Sequence, residues 1–355
     1  MLDLISDVVA LAATICDVPS VSGGEGPLAD AVEEALRTVA GLEVLRDGDT
    51  VVARTHQGHG RRVVVAGHLD TVPIQGNLPT RLVGDELWGR GTVDMKGGVA
   101  VALHLAATLA APTRDVTWVF YDHEEVEAER NGLGRVARTH PEWLAADFAI
   151  LGEPTGAAIE GGCNGTLRVE LRTRGRTAHS ARAWRGVNAV HAAAPILQRL
   201  SEYRPAAVEV DSLVYQEGLN AVAIRGGIAA NMIPDECVVT LDYRFAPDAT
   251  VDQAIAHVRG VFPEFDLTVL DGSAGARPGL DDPAVADFVA AVAALTGGGV
   301  AAKYGWTDVA RFAELGIPAV NFGPGDALLA HADDERCPTS QIRACADALR
   351  AWLER

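Results

Sequence analysis

Aromatic and basic residues are both scarce in this sequence. Aromatics make up 5% of the 355 residues and hydrophobic residues 48%, so alanine, valine and leucine must fill most of the interior, as in folds of helices and buried strands. Acidic residues outnumber lysines and arginines 48 to 30, giving a formal charge of -18. Such a surface repels phosphate backbones and anionic headgroups, so neither nucleic acid nor a membrane is an expected partner.

Cysteines and long apolar runs are also lacking. The five cysteines are widely scattered, without the paired spacing of disulfide frameworks or structural zinc sites, and a reducing cytoplasm is the expected location. The longest apolar run, residues 97–111, is shorter than the roughly 20 residues that span a bilayer. The first 18 residues predict an amphipathic helix rather than a secretory signal.

The first part of the chain alternates strand and helix patterns. Short β-branched runs predict strands ending near His68, Tyr121 and Gly152, and an apolar helix opens just after Asp94. This pattern predicts an α/β catalytic domain with a mixed, largely parallel sheet flanked by helices, where ligands bind at the carboxyl ends of the strands.

The pattern changes after residue 165. Alternating strands and two helices follow in the order βαββαβ, which predicts an inserted ferredoxin-like α+β domain. We place the catalytic domain at 1–165 and 277–355 and the inserted dimerisation or lid domain at 166–276. Its free sheet edge predicts a homodimer.

Histidines and carboxylates follow the predicted strands. His68 and Asp70 lie on one face of a strand end, so Asp70 is placed to orient the imidazole, although a solvated polar pair is an equal alternative. Asp94 sits among glycines before a helix, where a simple turn is the commoner case.

More acidic groups follow the next strands. Glu124 and Glu125 belong to the run DHEE, whose crowded carboxylates need cations or protons nearby unless the loop is merely solvated. Glu153 ends a third strand, and His331 follows a Gly-Pro turn, where a lone histidine is usually structural. Together, two histidines and three carboxylates form the mixed nitrogen and oxygen ligand set that suits zinc, or less often cobalt or manganese.

Five motifs in one order carry a family resemblance: GHLDTVP, GRGTVDMKGG, DHEEVEAERNGLG, GEPT and HADDE. The chain resembles the M20 family of metallopeptidases over nearly its whole length. The resemblance implies two Zn²⁺ ions, with Co²⁺ as a substitute. His68 and Glu153 would hold one ion, Glu125 and His331 the other, and Asp94 would bridge them.

The resemblance also implies roles in catalysis. Asp70 would orient His68, and Glu124 would be the general base in amide hydrolysis. His179, in GRTAHSA, would reach the active site of the dimer partner and stabilise the oxyanion.

The expected substrate is a small N-acyl amino acid with several carboxylates, specifically N-succinyl-LL-2,6-diaminopimelate. Asn231 and Arg244 match family positions that meet a substrate carboxylate, and Thr307 lies in a segment that resembles the substrate loop. The arginines at 172–185 could bind carboxylates or form a solvated face. Two alternatives stay open: acetylornithine deacetylation or other N-acyl amino acid hydrolysis, and a metal-free scaffold that has lost the chemistry.

Overall fold

A computed structural model describes residues 2–355, which divide into two compact units. The first unit holds the residues up to Gly161 together with Pro278–Ala301 and Thr307–Arg355. The second unit holds Gly162–Arg277 and Ala302–Trp306, so it is inserted within the sequence of the first. Each unit has a hydrophobic core of its own.

The strands that the structure describes are, in chain order, β1 (Leu42–Asp47), β2 (Thr50–Thr55), β3 (Arg62–His68), β4 (Arg81–Val83), β5 (Glu86–Trp88), β6 (Asp115–Tyr121), β7 (Phe148–Leu151), β8 (Ile159–Gly161), β9 (Gly165–Arg174), β10 (Ala207–Val210), β11 (Leu213–Gln216), β12 (Gly218–Gly226), β13 (Glu236–Phe245), β14 (Asp266–Ser273), β15 (Val300–Ala302), β16 (Ala319–Asn321) and β17 (Arg336–Pro338).

The α-helices are α1 (Val8–Cys16), α2 (Gly26–Leu36), α3 (Lys96–Thr108), α4 (Gly132–Thr139), α5 (Pro141–Leu144), α6 (Ala189–Ala192), α7 (Ala194–Glu202), α8 (Val251–Val261), α9 (Pro283–Thr296), α10 (Val309–Glu314) and α11 (Thr339–Leu353). Short 3-10 helices span Ser180–Arg185 and Ala327–Leu329.

The first unit is built on an eight-stranded mixed sheet in the order β1-β2-β6-β3-β7-β16-β8-β15. Its centre is parallel, because β3 runs parallel to both β6 and β7, and β16 runs parallel to β7. All seven residues of β6 are buried, as expected for a parallel strand covered on both faces. The predicted α/β class is confirmed.

The central strands end side by side. His68 pairs with Tyr121 at the ends of β3 and β6, and Ala66 pairs with Leu151 at the end of β7. Chain segments that leave these three strands therefore emerge at one edge of the sheet. The polar residues that follow the strands are brought together by this register.

Helix α3 begins two residues after Asp94 and packs on β3 and β6, as the sequence predicted. Its start lies very close to the end of β7, since a Cβ added at Gly98 would sit 2.1 Å from the carbonyl oxygen of Gly152. Only glycine allows this approach. It brings the beginning of α3 close to the backbone that leads into Glu153.

The second unit contains a four-stranded antiparallel sheet in the order β12-β13-β9-β14, packed with α6, α7 and α8. These elements follow the predicted βαββαβ order. Two details differ. The single helix predicted before β12 is interrupted between α6 and α7 next to Pro195, which lacks the N–H that a continuous helix would use. An additional hairpin, β10–β11, was not predicted.

The segment Ala302–Trp306 belongs to the second unit, whereas the sequence analysis placed it in the second part of the catalytic domain. Asn164 N donates to the carbonyl of Lys303 at 3.2 Å, and Trp306 Nε1 donates to the carbonyl of Ala274 at 3.0 Å. These hydrogen bonds join residues far apart in the chain, so no local sequence pattern predicts them.

All five cysteines are buried and carry free thiols. Burial raises the pKa of Cys16 to about 12 and that of Cys345 well above its ordinary value, so both thiols are protonated and unreactive at neutral pH. Among residues 2–355, no helix is long and apolar enough to cross a membrane.

Candidate metal centre

Four of the predicted ligands meet at the carboxyl edge of the parallel strands. His68 is the last residue of β3, Asp94 precedes α3, and Glu125 lies in the loop after β6. One ligand atom from each of these three residues lies within 4.8 Å of the others. His331 joins them from the loop after the second 3-10 helix, with its Nε2 3.1 Å from Glu125 Oε1.

Asp94 lies between the two histidines. Its Oδ1 is 3.1 Å from His68 Nε2, and its Oδ2 is 3.3 Å from His331 Nε2. Each oxygen of one carboxylate therefore faces a different imidazole. This is the arrangement that a carboxylate bridging two cations would require.

Asp70 fixes both His68 and the acidic loop. His68 Nδ1 lies 3.0 Å from the backbone carbonyl of Asp70 and 3.4 Å from its Oδ1, so the carbonyl is the nearer partner. The Asp70 carboxylate also accepts the amide protons of Glu124 and Glu125, each at 3.0 Å, and the hydroxyl proton of Ser22 at 2.7 Å. One buried carboxylate thus orients an imidazole and two acidic residues.

Glu124 is a half-buried acid among other acids. Burial raises its pKa well above the ordinary value; the charge of His68 opposes this, while the charges of Glu153 and Asp308 add to it. A carboxylate with a raised pKa accepts a proton more readily than an ordinary carboxylate does. This is the property required of a general base that later acts as an acid.

Glu153 follows β7 and is 5% exposed. Among the residues described by the structure, it is not part of the group whose ligand atoms lie within 4.8 Å. Its charge nevertheless acts on Glu124, which places it in the same acidic neighbourhood. Of the five predicted ligands, the structure brings four into direct contact and places the fifth nearby.

His331 has an unusual backbone. Its φ of +64° lies in the left-handed region, which costs a residue other than glycine about 1 kcal/mol or more. Such conformations persist only where surrounding contacts impose them. The contacts of this loop must therefore stabilise the backbone conformation of His331.

The charges of the cluster are mutually dependent. Hydrogen bonds to Asp94 and Glu125 raise the pKa of His331 to about 10. Burial acts to lower the pKa of His68, but Asp70 and Asp94 outweigh it and raise that pKa well above the ordinary value. Imidazole nitrogens and carboxylate oxygens that converge at one point are a donor set that fits a divalent transition-metal ion.

The remaining predicted residues lie elsewhere in the chain. Thr307, in the first unit, is buried and donates its hydroxyl proton to Asn321 Oδ1 at 2.9 Å. His179, Asn231 and Arg244 belong to the second unit. His179 and Asn231 are exposed, and Arg244 Nε donates to Asp242 at 2.8 Å.

Two of the arginines at 172–185 lie on the sheet and face acidic residues. Arg172 pairs with Glu236, and Arg174 lies 3.8 Å from Asp266. Arg176 donates to the backbone carbonyl of Arg185 at 3.0 Å. The alternative of a solvated, ion-paired face fits the sheet arginines Arg172 and Arg174.

Asp308 is a residue whose part in the site the sequence analysis missed. It is fully buried, accepts a hydrogen bond from Asn131 Nδ2 at 2.9 Å, and contributes to the raised pKa of Glu124. Asp308 lies with Thr307 in the segment that resembles the substrate loop, but the sequence analysis predicted no role for it beside Glu124. Its burial depends on α4 and α10 coming together, which the local sequence does not indicate.

The chain belongs to Peptidase family M20/M25/M40, whose model matches residues 64–355. It is therefore an M20 hydrolase, and the resemblance noted from the motifs is confirmed. A Mycobacterium tuberculosis protein provisionally named succinyl-diaminopimelate desuccinylase DapE is 54% identical, over 99% of each chain. Succinyl-diaminopimelate desuccinylase of Corynebacterium glutamicum is 46% identical, over 99% of this chain and 97% of that one.

A solved structure shares the fold. The M20 family metallo-carboxypeptidase Sso-CP2 of Sulfolobus solfataricus matches 98% of this chain and 99% of its own with a TM-score of 0.82. The sequences are 17% identical, so the likeness extends to the architecture alone.

Metal binding at this cluster is predicted to strengthen as pH rises. A histidine ligates a metal only as the neutral imidazole, so His331, with a pKa of about 10, must lose a proton when metal binds at neutral pH. We expect Zn²⁺ affinity to rise by about tenfold per pH unit for each proton displaced. Calorimetry in buffers of different ionisation enthalpy, between about pH 6 and pH 8, counts these protons.

His140, stacked on Trp143, supplies the control, because His140→Gln should leave the proton count unchanged. Affinity that stays constant across this range, with no proton released, would contradict the electrostatic account of the cluster.

Proposed function

We propose that this protein is a metal-dependent amidohydrolase that cleaves N-succinyl-LL-2,6-diaminopimelate to succinate and LL-2,6-diaminopimelate, a precursor for lysine and cell-wall synthesis. The observation that carries the proposal is 46–54% identity along the whole chain to proteins named for this reaction. The cluster of His68, Asp94, Glu125 and His331 supports it, because such a donor set suits metal-assisted hydrolysis.

The proposed cofactors are two Zn²⁺ ions, for which Co²⁺ would substitute. His68 and Glu153 would hold one ion and Glu125 and His331 the other, with Asp94 between them. The separate contacts of the two Asp94 oxygens with His68 and His331 support this assignment. When bound, divalent ions would polarise the amide carbonyl and make water more acidic near neutral pH.

Side chains of the protein would transfer the protons during hydrolysis. Glu124 lies half-buried beside the cluster and has a raised pKa, which suits it to take a proton from the attacking water and return it to the leaving amine nitrogen. Asp70 would keep His68 in a fixed ring orientation. One water is consumed, and the C–N bond breaks to give a carboxylate and an amine.

Replacing the proposed base tests this assignment directly. Glu124→Gln keeps the size of the side chain but cannot accept the proton, so we expect kcat to fall by about 10²–10⁴-fold. Zinc content, measured by atomic emission, should stay near that of the wild type.

Glu127→Gln is the matched control, because Glu127 lies in the same loop with its side chain 78% exposed. Its kcat should be unchanged. Retained activity in Glu124→Gln would remove this residue as the base.

The substrate's carboxylates require cationic and polar partners. We propose that Arg244, Asn231 and Thr307 contribute them. The side chain of Arg244 is partly exposed, and its Nε is held by Asp242. A guanidinium fixed through Nε presents its terminal nitrogens in a defined direction, which suits bidentate binding of a carboxylate.

A kinetic comparison separates the candidate substrates. We expect kcat/KM for N-succinyl-LL-2,6-diaminopimelate to exceed that for N-acetylornithine by on the order of 10²-fold or more, because a site built for several carboxylates leaves polar groups unpaired with the smaller substrate.

Preference for acetylornithine would instead favour the alternative N-acyl amino acid hydrolase. A folded sample that binds no zinc and hydrolyses neither compound would favour the metal-free scaffold.

We further propose a homodimer assembled through the second unit. Strand β12 is an edge of its sheet and exposes Val222 and Ile224, while His179 is exposed as a residue acting on a partner's site would be. An unpaired strand edge with apolar side chains favours association.

Mixing two inactive variants tests both parts of this proposal. His179→Ala should lower kcat with little loss of metal, and Glu124→Gln should be nearly inactive. If His179 acts across the dimer, hybrids of the two variants contain one intact site and recover activity. No recovery after verified subunit exchange would contradict action across the dimer, and a monomeric mass by light scattering would contradict the dimer itself.

We place the protein in a reducing cytoplasm. The support is that all five cysteines are free thiols buried in the fold, as is usual where disulfides do not form.

A further inference from the structure

A buried ion pair joins the segments that carry Asp94 and His331. Arg90 Nη1 is 2.7 Å from Glu335 Oε2, and the side chains are 2% and 0% exposed. Arg90 belongs to the segment leading to Asp94, and Glu335 follows His331. The pair therefore connects two distant parts of the chain that each carry a proposed ligand.

Each member of the pair holds the backbone of the opposite segment. The second oxygen of Glu335, Oε1, accepts the amide protons of Val93 at 2.9 Å and Asp94 at 3.2 Å. Arg90 donates to the backbone carbonyls of Ala332 at 3.3 Å and His331 at 3.4 Å. The contacts are reciprocal, so neither segment can shift without breaking bonds to the other.

A contribution to the stability of the fold does not by itself explain why a buried ion pair is present here. Removing two charges from water costs several kcal/mol per ion, and well-packed apolar residues often stabilise a core as much or more. What apolar residues cannot do is hold four backbone groups in fixed directions. Those groups include the backbone of His331, whose left-handed conformation needs external support.

We propose that Arg90 and Glu335 are positioning residues that hold Asp94 and His331 at the spacing required to bind metal. The inference rests on the metal-dependent function proposed above. Neither residue is a ligand, because their charged groups are bonded to each other and to the backbone. Their effect reaches the metal through the two residues that they support.

The geometry of arginine is essential to this role. A guanidinium donates in several directions at once, whereas the ammonium of lysine is a single point charge on a flexible stem. Arg90→Lys keeps the charge opposite Glu335 but cannot also reach the carbonyls of Ala332 and His331. The substitution therefore separates positioning from charge compensation.

The test measures binding of zinc alone. We expect Arg90→Lys to bind Zn²⁺ about 10- to 100-fold more weakly than the wild type in competition with a chromophoric chelator, as is typical when a partner outside the ligand shell is lost. The visible absorption spectrum of the Co²⁺-loaded variant should also change, because the directions of Asp94 and His331 would be altered.

A second variant covers the case in which Arg90→Lys does not fold. The double variant Arg90→Met with Glu335→Gln leaves no unpaired buried charge. The glutamine oxygen can still accept the amide proton of Asp94, while support of the His331 carbonyl is lost. It should show the same weakened Zn²⁺ binding.

Arg114→Lys is the matched control. Arg114 lies at the opposite, amino end of β6, where it donates to the carbonyl of Trp352 at 2.6 Å and lies 3.3 Å from Asp287. It should lose thermal stability without losing Zn²⁺ affinity. If it weakens Zn²⁺ binding equally, or if a folded Arg90→Lys binds Zn²⁺ as tightly as the wild type, the positioning role is overturned. A wild-type protein that binds no Zn²⁺ would instead overturn the proposed function.

Discussion

The concentration of buried carboxylates at one edge of the sheet is the constraint on which the rest of this site depends. Asp70 and Asp308 are buried, and the half-buried Asp94, Glu124 and Glu125 lie close by. Like charges in a medium of low dielectric repel strongly unless cations, protons or hydrogen-bond donors balance them. In this protein all three forms of balance operate. Protons on His68 and His331 face Asp94, backbone amides face Asp70, and the raised pKa of Glu124 favours its neutral form.

The fold brings these carboxylates together without placing their charges in the hydrophobic core. Three parallel strands end in register, and most residues of β3 and β6 that precede the polar ends are buried and apolar. Dispersion and the hydrophobic effect therefore stabilise the sheet, while the loops after the strands carry the charge. The close approach of Gly98 to Gly152 brings the start of α3 to the same edge. Catalytic groups can then be polar without interrupting the packing beneath them.

Local sequence patterns predicted the elements but not the contacts between distant segments. The strand ending at His68, the helix after Asp94 and the βαββαβ order all follow from periodicity, which depends on neighbouring residues. Pro195 also marks the break between α6 and α7, because a proline disfavours a continuous helix at that point. In contrast, the burial of Asp308 and the bonds between Arg90 and Glu335 join residues far apart in the chain. No spacing rule encodes such pairs, although Arg90 and Glu335 both stand inside the motifs that identified the family.

The contacts of His331 couple the conformation of its loop to the charge of the cluster. His331 is held in a conformation that is unfavourable by itself, and its pKa of about 10 means that a proton occupies the imidazole while Asp94 and Glu125 are close to it. A proton on His331 thus compensates the same carboxylates that a cation would. A divalent cation at the same place would take over this compensation, and the imidazole would release its proton as it becomes a ligand.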